Sequence, residues 1–269
     1  MKVSNRVAVI TGAGSGIGRA TAHSLARRGC HLALADIDLA GLKETASMLG
    51  HMGVRVTTHA LDVADRDAVR TLPAKVLAAH KRVDLLVNNA GVALGGSFEQ
   101  VSEEDFEWLM DVNFNGVVRM TRAFLPLLRQ SDEARIVNVS SIYGIVSPPG
   151  QSAYSASKFA VRGFSNALRH ELEGSTVGVS VVHPGGVATA IARNARVPQG
   201  TPEDETARGR ELAEKLLRLP PRQAGEIIAQ GIEARQSRIL VGGDAKVVAI
   251  LERILPVHYW RILKKAAAR

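Results

Sequence analysis

The feature that most narrows what this chain can fold into is a glycine turn set between an apolar strand and a helix. Residues 6–11, R-V-A-V-I-T, form a short run rich in β-branched side chains; G-A-G-S-G-I-G follows at once, and a helix-like segment continues to Gly29. Gly12, Gly14, Gly16 and Gly18 carry no Cβ, so backbone N–H groups can approach a pyrophosphate, and the following helix directs its positive end at the same charge. The spacing departs from G-x-G-x-x-G, because Ile17 stands where the third glycine would fall. Four glycines in seven residues exceed what a plain tight connection needs.

Strand and helix signals then alternate along the chain. His31 to Asp36, H-L-A-L-A-D, reads as a buried strand ending in a carboxylate about 20 residues after the glycine turn, where an acid accepts hydrogen bonds from ribose hydroxyls and repels a 2′-phosphate. Asp36 therefore favours NAD, with NADP as the alternative. Further strands are expected at 54–60, 83–88, 136–139, 177–182 and 238–241. Asp65 caps a helix reaching about His80, and Ser102-Glu103-Glu104-Asp105 has capping-box form, opening one long helix to about Arg129 with Pro126 kinking its last turn. This alternation implies an α/β fold, a doubly wound parallel sheet of about seven strands with helices on both faces. No linker, repeat or low-complexity segment divides residues 1–269, so one domain is expected. Residues 190–220 form an excursion suited to cover a site, and 245–265 a helical tail.

The chemistry concentrates in residues 141–158, S-I-Y-G-I-V-S-P-P-G-Q-S-A-Y-S-A-S-K. If the chain is helical from Gln151 onward, Tyr154 and Lys158 share one face, and a cation beside a phenol favours the phenolate and lowers its pKa. Ser141 follows the apolar run 136–139, where a buried strand releases its last side chains into a crevice. Asn113 lies among Val112, Phe114 and Val117; an Asn buried there needs partners.

The net charge of +8 is scattered and lacks an interleaved aromatic surface, which argues against nucleic acid. Only the chain end is concentrated: Lys246, Arg253, Arg261, Lys264, Lys265 and Arg269 stand against Asp244 and Glu252. Its apolar residues Val248, Leu251, Ile254 and Leu255 suit a subunit contact or a flap on the site, ahead of a peripheral membrane contact. Cys30 reads as a packed thiol in a reducing compartment. With no signal-peptide pattern and no apolar run of transmembrane length, a cytoplasmic location is expected, and no metal site.

Together these marks resemble the short-chain dehydrogenase/reductase family in its compact one-domain form. The resemblance rests on Thr11-Gly12-x-x-x-Gly16-x-Gly18, Asp36, Asn88-Asn89-Ala90-Gly91, Asn113, Ser141, the Tyr154/Lys158 pair and Pro184-Gly185-Gly186-Val187-Ala188-Thr189, in that order. It implies that Tyr154 is the general acid and base, that Ser141 holds the substrate oxygen, that Lys158 also holds the nicotinamide ribose, and that Asn113 organises a water beside Lys158. It implies cofactor contacts at Gly12, Ser15, Gly16, Ile17 and Gly18; at Asp36 and Ile37; at Asp62 and Val63, near the adenine; at Asn89, Ala90 and Gly91; and at Pro184, Gly185, Val187 and Thr189. Ser15 and Ile37 stand where NADP-using relatives commonly carry a basic residue. Ser141 is preferred to Ser140 because it lies thirteen residues before Tyr154, the family's usual interval. The substrate side, Val92, Ala93, Leu94, Ile142, Tyr143, Ile145 and Val146, is mostly apolar and suits a hydrophobic secondary alcohol or ketone. Small residues on the Tyr154 helix, Ala156, Ala160, Gly163 and Ala167, suit a homodimer or homotetramer. The reading outside enzymes is a regulator that senses the dinucleotide without turning it over.

Overall fold

The computed structural model describes residues 1–267. Seven strands form one sheet: β1 (Val7–Thr11), β2 (His31–Asp36), β3 (Val56–Ala60), β4 (Leu85–Asn88), β5 (Ala134–Val139), β6 (Val177–Pro184) and β7 (Arg238–Val241). Their spatial order is β3-β2-β1-β4-β5-β6-β7, and every neighbouring pair is parallel. The chain starts in the middle, winds outward to β3, then returns across β1 to lay down β4 and the rest. That reversal between β1 and β4 opens a crevice at the strands' carboxyl ends, where α/β sheets bind ligands.

The strand sequences explain their positions. β1, β4 and β5 are buried at every residue, as central strands covered on both faces must be, whereas the edge strand β3, V-T-T-H-A, has no fully buried residue. On one face lie α1 (Gly16–Ala26), α2 (Leu39–Leu49) and α8 (Pro221–Glu233), burying Leu25, Leu42, Ile228 and Ile232. On the other lie α3 (Arg66–His80), α5 (Gly116–Leu128) and α6 (Ser152–Glu171), burying Val69, Val76, Phe124 and Leu168. The remaining helices, α4 (Glu103–Met110), α7 (Glu203–Leu216), α9 (Gly243–Ile254) and α10 (Tyr259–Ala267), sit beyond the strand ends or after the last strand in the chain. None of the described helices is long and apolar enough to cross a membrane.

Local signals acted where their chemistry is strongest. The Asp65 carboxylate accepts from the Asp67 and Ala68 N–H groups, and the Ser102 hydroxyl from Asp105 N–H, so α3 and α4 start where the caps require. The single long helix expected over 103–129 is not continuous: residues Asp111–Asn115 form one π-helical turn between α4 and α5. α8 has a weaker signature, opened by Pro221 at its first position. It packs closely on α1 because Gly225 leaves room for the backbone of Ala20, and Arg28 pairs with Glu226 at 2.5 Å and Glu233 at 2.9 Å across the contact.

A methyl group at position 225 would overlap the Ala20 carbonyl, so the two helices must separate to admit it. Gly225→Ala is expected to cost about 1–3 kcal/mol of stability despite its better helix propensity, read as a lower urea midpoint. An unchanged midpoint would mean the contact is not tight.

Candidate active site

The glycine turn is held from three sides. Gly12 and Gly16 adopt φ of 64° and 52°, in the left-handed region. A Cβ on Gly18 would collide with the Gly12 carbonyl. Asn89 Nδ2 donates to the carbonyls of Thr11 at 3.0 Å and Gly12 at 3.1 Å, while the Thr11 hydroxyl accepts from Asn89 and Ala90 N–H, both at 3.0 Å. Asn89 and Ala90 of N-N-A-G thus support the turn from β4. On the other side the Asp36 carboxylate accepts from Gly14 N–H at 2.8 Å and Asp38 N–H at 3.0 Å. Arg19, which the sequence reading passed over, closes the third side: its guanidinium donates to the Gly14 carbonyl and to Thr45 Oγ1 at 2.9 Å, and pairs with Glu44 at 2.7 Å. Its signal was an Arg at the positive end of a helix, where only strong partners justify a cation. Ser15 lies exposed on the turn, and Ile17 packs partly into the core behind it. The Ile37 side chain is 72% exposed beside Asp36. Asp62 accepts from Ala64 N–H at 2.8 Å after β3, and Val63 is buried against Gly116.

Ser141, Tyr154, Lys158 and Asn113 come together at the carboxyl end of β5. Lys158 is 3% exposed; its Nζ lies 3.3 Å from the Val139 carbonyl and 5.6 Å from the centre of the Tyr154 ring. Ser140 Oγ donates to the Lys158 carbonyl at 2.8 Å, leaving Ser141 as the serine that faces the tyrosines. Ser141 Oγ accepts from Tyr143 N–H at 3.1 Å, and Tyr143 meets Tyr154 edge-on at 6.0 Å. Asn113 sits in the π turn, 1% exposed, accepting from Val92 N–H at 2.8 Å and donating to Val92 O at 3.0 Å and Ser157 Oγ at 3.2 Å. A wide turn lets a helical side chain reach a neighbouring loop in this way, and π turns recur at functional sites. A Cβ on Gly91 would stand 3.1 Å from Asn113 Oδ1 and 3.3 Å from Lys158 Nζ, so the glycine of N-N-A-G keeps a cradle open beside the lysine.

The electrostatics correct one expectation. Tyr154 was expected to be made acidic by Lys158, yet among the chain's own groups burial dominates and pushes the phenol up to about 12, with Ser141 pulling it partly back. The same burial pushes the Lys158 ammonium down to about 8. Both charged forms suffer from desolvation, and the ammonium stands over the ring's face.

The loop after β6 completes the crevice. Pro184 ends β6, and the Gly185 and Gly186 backbone lies against the Asp244 carboxylate, which accepts from Gly186 N–H at 2.6 Å. Val187 is buried in the core, and Ala188 N–H donates to Leu219 O at 2.9 Å. Thr189 Cγ2 lies 3.1 Å from where a Cβ on Gly16 would be, so this loop reaches the glycine turn. Of the apolar residues assigned to the substrate side, Val92 and Leu94 cluster with Tyr154 and Ala153. Ile145 and Val146 do not join them: they are buried beneath Val248 and Ala249 of α9 and have no free face. Arg196 has a structural task, stacking 3.7 Å from the Trp108 ring centre and pairing with Asp105 at 2.6 Å, which ties the covering segment to α4.

The profile of the short chain dehydrogenase family matches residues 6–200. The chain belongs to that family. It is 43% identical to SadH of Mycobacterium tuberculosis (strain H37Rv) over 98% of this chain and 96% of SadH. Among solved structures it resembles a short chain dehydrogenase/reductase from Burkholderia phymatum in complex with NAD, with a TM-score of 0.87, 34% identity and 95% of each chain covered. It also resembles a metagenomic short-chain oxidoreductase in complex with NADP, with a TM-score of 0.72, 29% identity and coverage of 90% and 98%. This short-chain dehydrogenase is accordingly an oxidoreductase with a nucleotide-binding fold. Its residues fit a dinucleotide: Gly12, Gly14, Gly16 and Gly18 of the turn leave little or no room for a Cβ, Asp36 marks the far end of the crevice, and Gly91 leaves space against Lys158.

Lys158 is a stability cost kept for its position. Its folded pKa of about 8 lies below the unfolded 10.5, so the folded state holds fewer protons in that window and stability rises with pH through it. Below about pH 8 the penalty is complete, on the order of 3 kcal/mol. Lys158→Met is therefore expected to raise Tm at neutral pH by about 5 °C in calorimetry. A lower Tm would show that the ammonium stabilises the fold.

Proposed function

We propose that this chain is an NAD-linked dehydrogenase/reductase that interconverts a hydrophobic secondary alcohol and its ketone, with Tyr154 as the proton-transfer group. The observation that carries the reading is the convergence of Ser141, Tyr154, Lys158 and Asn113 at the end of β5, along the same crevice as the glycine turn. Bound across that crevice, the nicotinamide cofactor supplies or accepts the hydride. The Tyr154 hydroxyl donates its proton to the carbonyl oxygen in reduction and takes it back in oxidation, while Ser141 Oγ–H hydrogen-bonds the same oxygen. A phenol held near 12 is a donor that stays protonated at neutral pH, which suits reduction. Oxidation needs the phenolate, so its rate should climb as pH rises. Lys158, with Asn113 behind it, holds the nicotinamide ribose and links Tyr154 to solvent. Asp36 receives the adenosine ribose hydroxyls, and the neutral, exposed Ile37 beside it offers a 2′-phosphate no cation. Gly12, Ser15, Gly16, Ile17 and Gly18 hold the pyrophosphate; Asp62 and Val63 line the adenine end; Pro184, Gly185, Val187 and Thr189 position the carboxamide.

The partly exposed Val92 beside Tyr154, packed on the buried Leu94, supports a hydrophobic substrate. Residues 190–220 act as its cover, anchored by Arg196, and the charges of α7 form a solvated face, as the pairs Arg208–Asp204 at 2.8 Å and Lys215–Glu211 at 2.7 Å suggest. One domain spans the chain. Phe159, 37% exposed, and Gly163, with open space around it, support pairing of α6 with a second copy, while Val247, Ile254 and Val257, at 63%, 68% and 79% exposed, make the tail a further contact surface.

Tyr154→Phe is expected to lower kcat by about 10²–10⁴-fold while NADH affinity, read by fluorescence titration, stays within about twofold. Full turnover by this variant would remove the assignment. Asp36→Ala should narrow the ratio of kcat/KM with NAD over NADP by about tenfold or more, and an unchanged ratio would place cofactor choice elsewhere.

A further inference from the structure

The two helices after β7 carry an uncovered apolar ridge with cations along it. α9 is apolar on two opposite faces. One face is buried: Ala245, Val248 and Ala249, the last two packed against Ile145 and Val146 behind the Ser141 turn. A helix advances about 100° per residue, so Val247, Ile250 and Ile254 form one stripe on the far side. Those three are 60–68% exposed, and Val257, in the turn 255–258 leading to α10, is exposed as well. α10 carries charge on its outside instead. Tyr259 and Leu263 pack on the same cluster as Ile145 and Val146, while Arg261, Lys264 and Lys265 stand exposed, with Ile262 exposed at the border and Trp260 half-buried. Lys246 and Arg253 are exposed beside the α9 stripe. Among the described residues, none of these five cations takes part in an ion pair. The two acids of the segment are engaged elsewhere. Asp244 accepts from the Gly186 and Ala245 N–H groups, and Glu252, half-buried, attracts Arg238.

Exposed large apolar side chains are unremarkable when scattered singly. Here, of fourteen among the described residues, five fall between 247 and 262. Their charge pattern selects what covers them. A second copy meeting this surface about a two-fold axis would set five cations against the same five, because such a contact joins identical patches. A flap over the site would turn the ridge inward, yet the face of α9 that meets Ile145 and Val146 is the opposite one. An anionic bilayer suits both halves of the pattern: aliphatic side chains enter the acyl boundary, lysines and arginines lie among negative headgroups, and an aromatic pair such as Tyr259 and Trp260 fits the border between them.

We propose that the outer face of α9 and α10 is a docking surface for an anionic lipid bilayer, rather than the subunit contact or flap expected from the sequence. Val247, Ile250, Ile254 and Val257 enter the lipid, and Lys246, Arg253, Arg261, Lys264 and Lys265 hold the headgroups. The docking is peripheral and does not depend on the reaction at Tyr154. α9 separates the ridge from Ile145 and Val146, so docking brings the loop after Ser141 within about 10 Å of the lipid, one helix diameter.

The test is flotation of the full chain with vesicles of phosphatidylcholine containing about 30% phosphatidylglycerol, at about 0.1 M salt. The chain is expected to float with these vesicles, and to partition about tenfold more weakly onto pure phosphatidylcholine or at about 1 M salt. The V247S/I250S/I254S and R261Q/K264Q/K265Q variants should each lower the partition coefficient about tenfold or more, with the assembly mass in equilibrium sedimentation unchanged. On the unaltered chain, hydrogen exchange across residues 245–265 should slow when vesicles are added, which locates the contact should a variant fold poorly. Absence of flotation, equal partition onto neutral lipid, partition undiminished in either variant, or protection confined to other segments would each overturn the proposal. A smaller assembly mass in the V247S/I250S/I254S variant would also overturn it, assigning the ridge to a second copy.

Discussion

The site depends on the burial of one ammonium group. Lys158 is almost wholly removed from water with the Val139 carbonyl as its ammonium's one hydrogen-bond partner among the described residues, an arrangement that hydrophobic packing alone would never select. Much of its surroundings serves to keep it there. Ser140 fixes the helix backbone at Lys158, Gly144 lets the turn after β5 pass close to that same backbone, and Asn113 reaches in from the π turn to anchor the loop that Gly91 keeps open. A second polar layer lies below, where Asn88 donates to Asn138 and Asn138 to Ser165 across β4, β5 and α6. Such buried chains set register as much as they stabilise, because each member has only one place to find its partner.

How much of this was legible follows from where the information sits. Strand centres are apolar and uninterrupted, so β2 and β7 were readable to the residue, and caps placed the start of α3 and α4 because a carboxylate or hydroxyl there meets unpaired N–H groups. α8 escaped because only Ile228 and Ile232 of its buried face are large, and the rest of that face, Ala224, Gly225, Ala229 and Gly231, is small residues whose value is close approach rather than hydrophobicity. The π turn escaped because the contact it accompanies, between Asn113 and Val92, joins residues twenty-one apart, and no local pattern encodes it.

Asn113, Ser141, Tyr154 and Lys158, named from the sequence, lie together in the structure, and their electrostatics were not legible. Spacing alone puts Tyr154 and Lys158 on one face, and the structure keeps them there. Whether the amine acidifies the phenol depends on the dielectric they share, and here burial acts on both before either acts on the other. Arg19 and Asp244 were overlooked for a related reason: each is an ordinary surface residue type whose importance comes from which backbone it meets.

Asp244 stands at the start of α9 while gripping the loop that follows β6. The last two helices are thereby mechanically in series with one wall of the nucleotide crevice, and Tyr259 adds a second tether by accepting from Ser147 N–H beyond the serine turn. Any load on the chain's end is transmitted inward along both connections. A fusion partner appended to this tail would pull on that wall, whereas one placed before Met1 would displace a buried amine that donates to the Glu233 carbonyl at 2.6 Å.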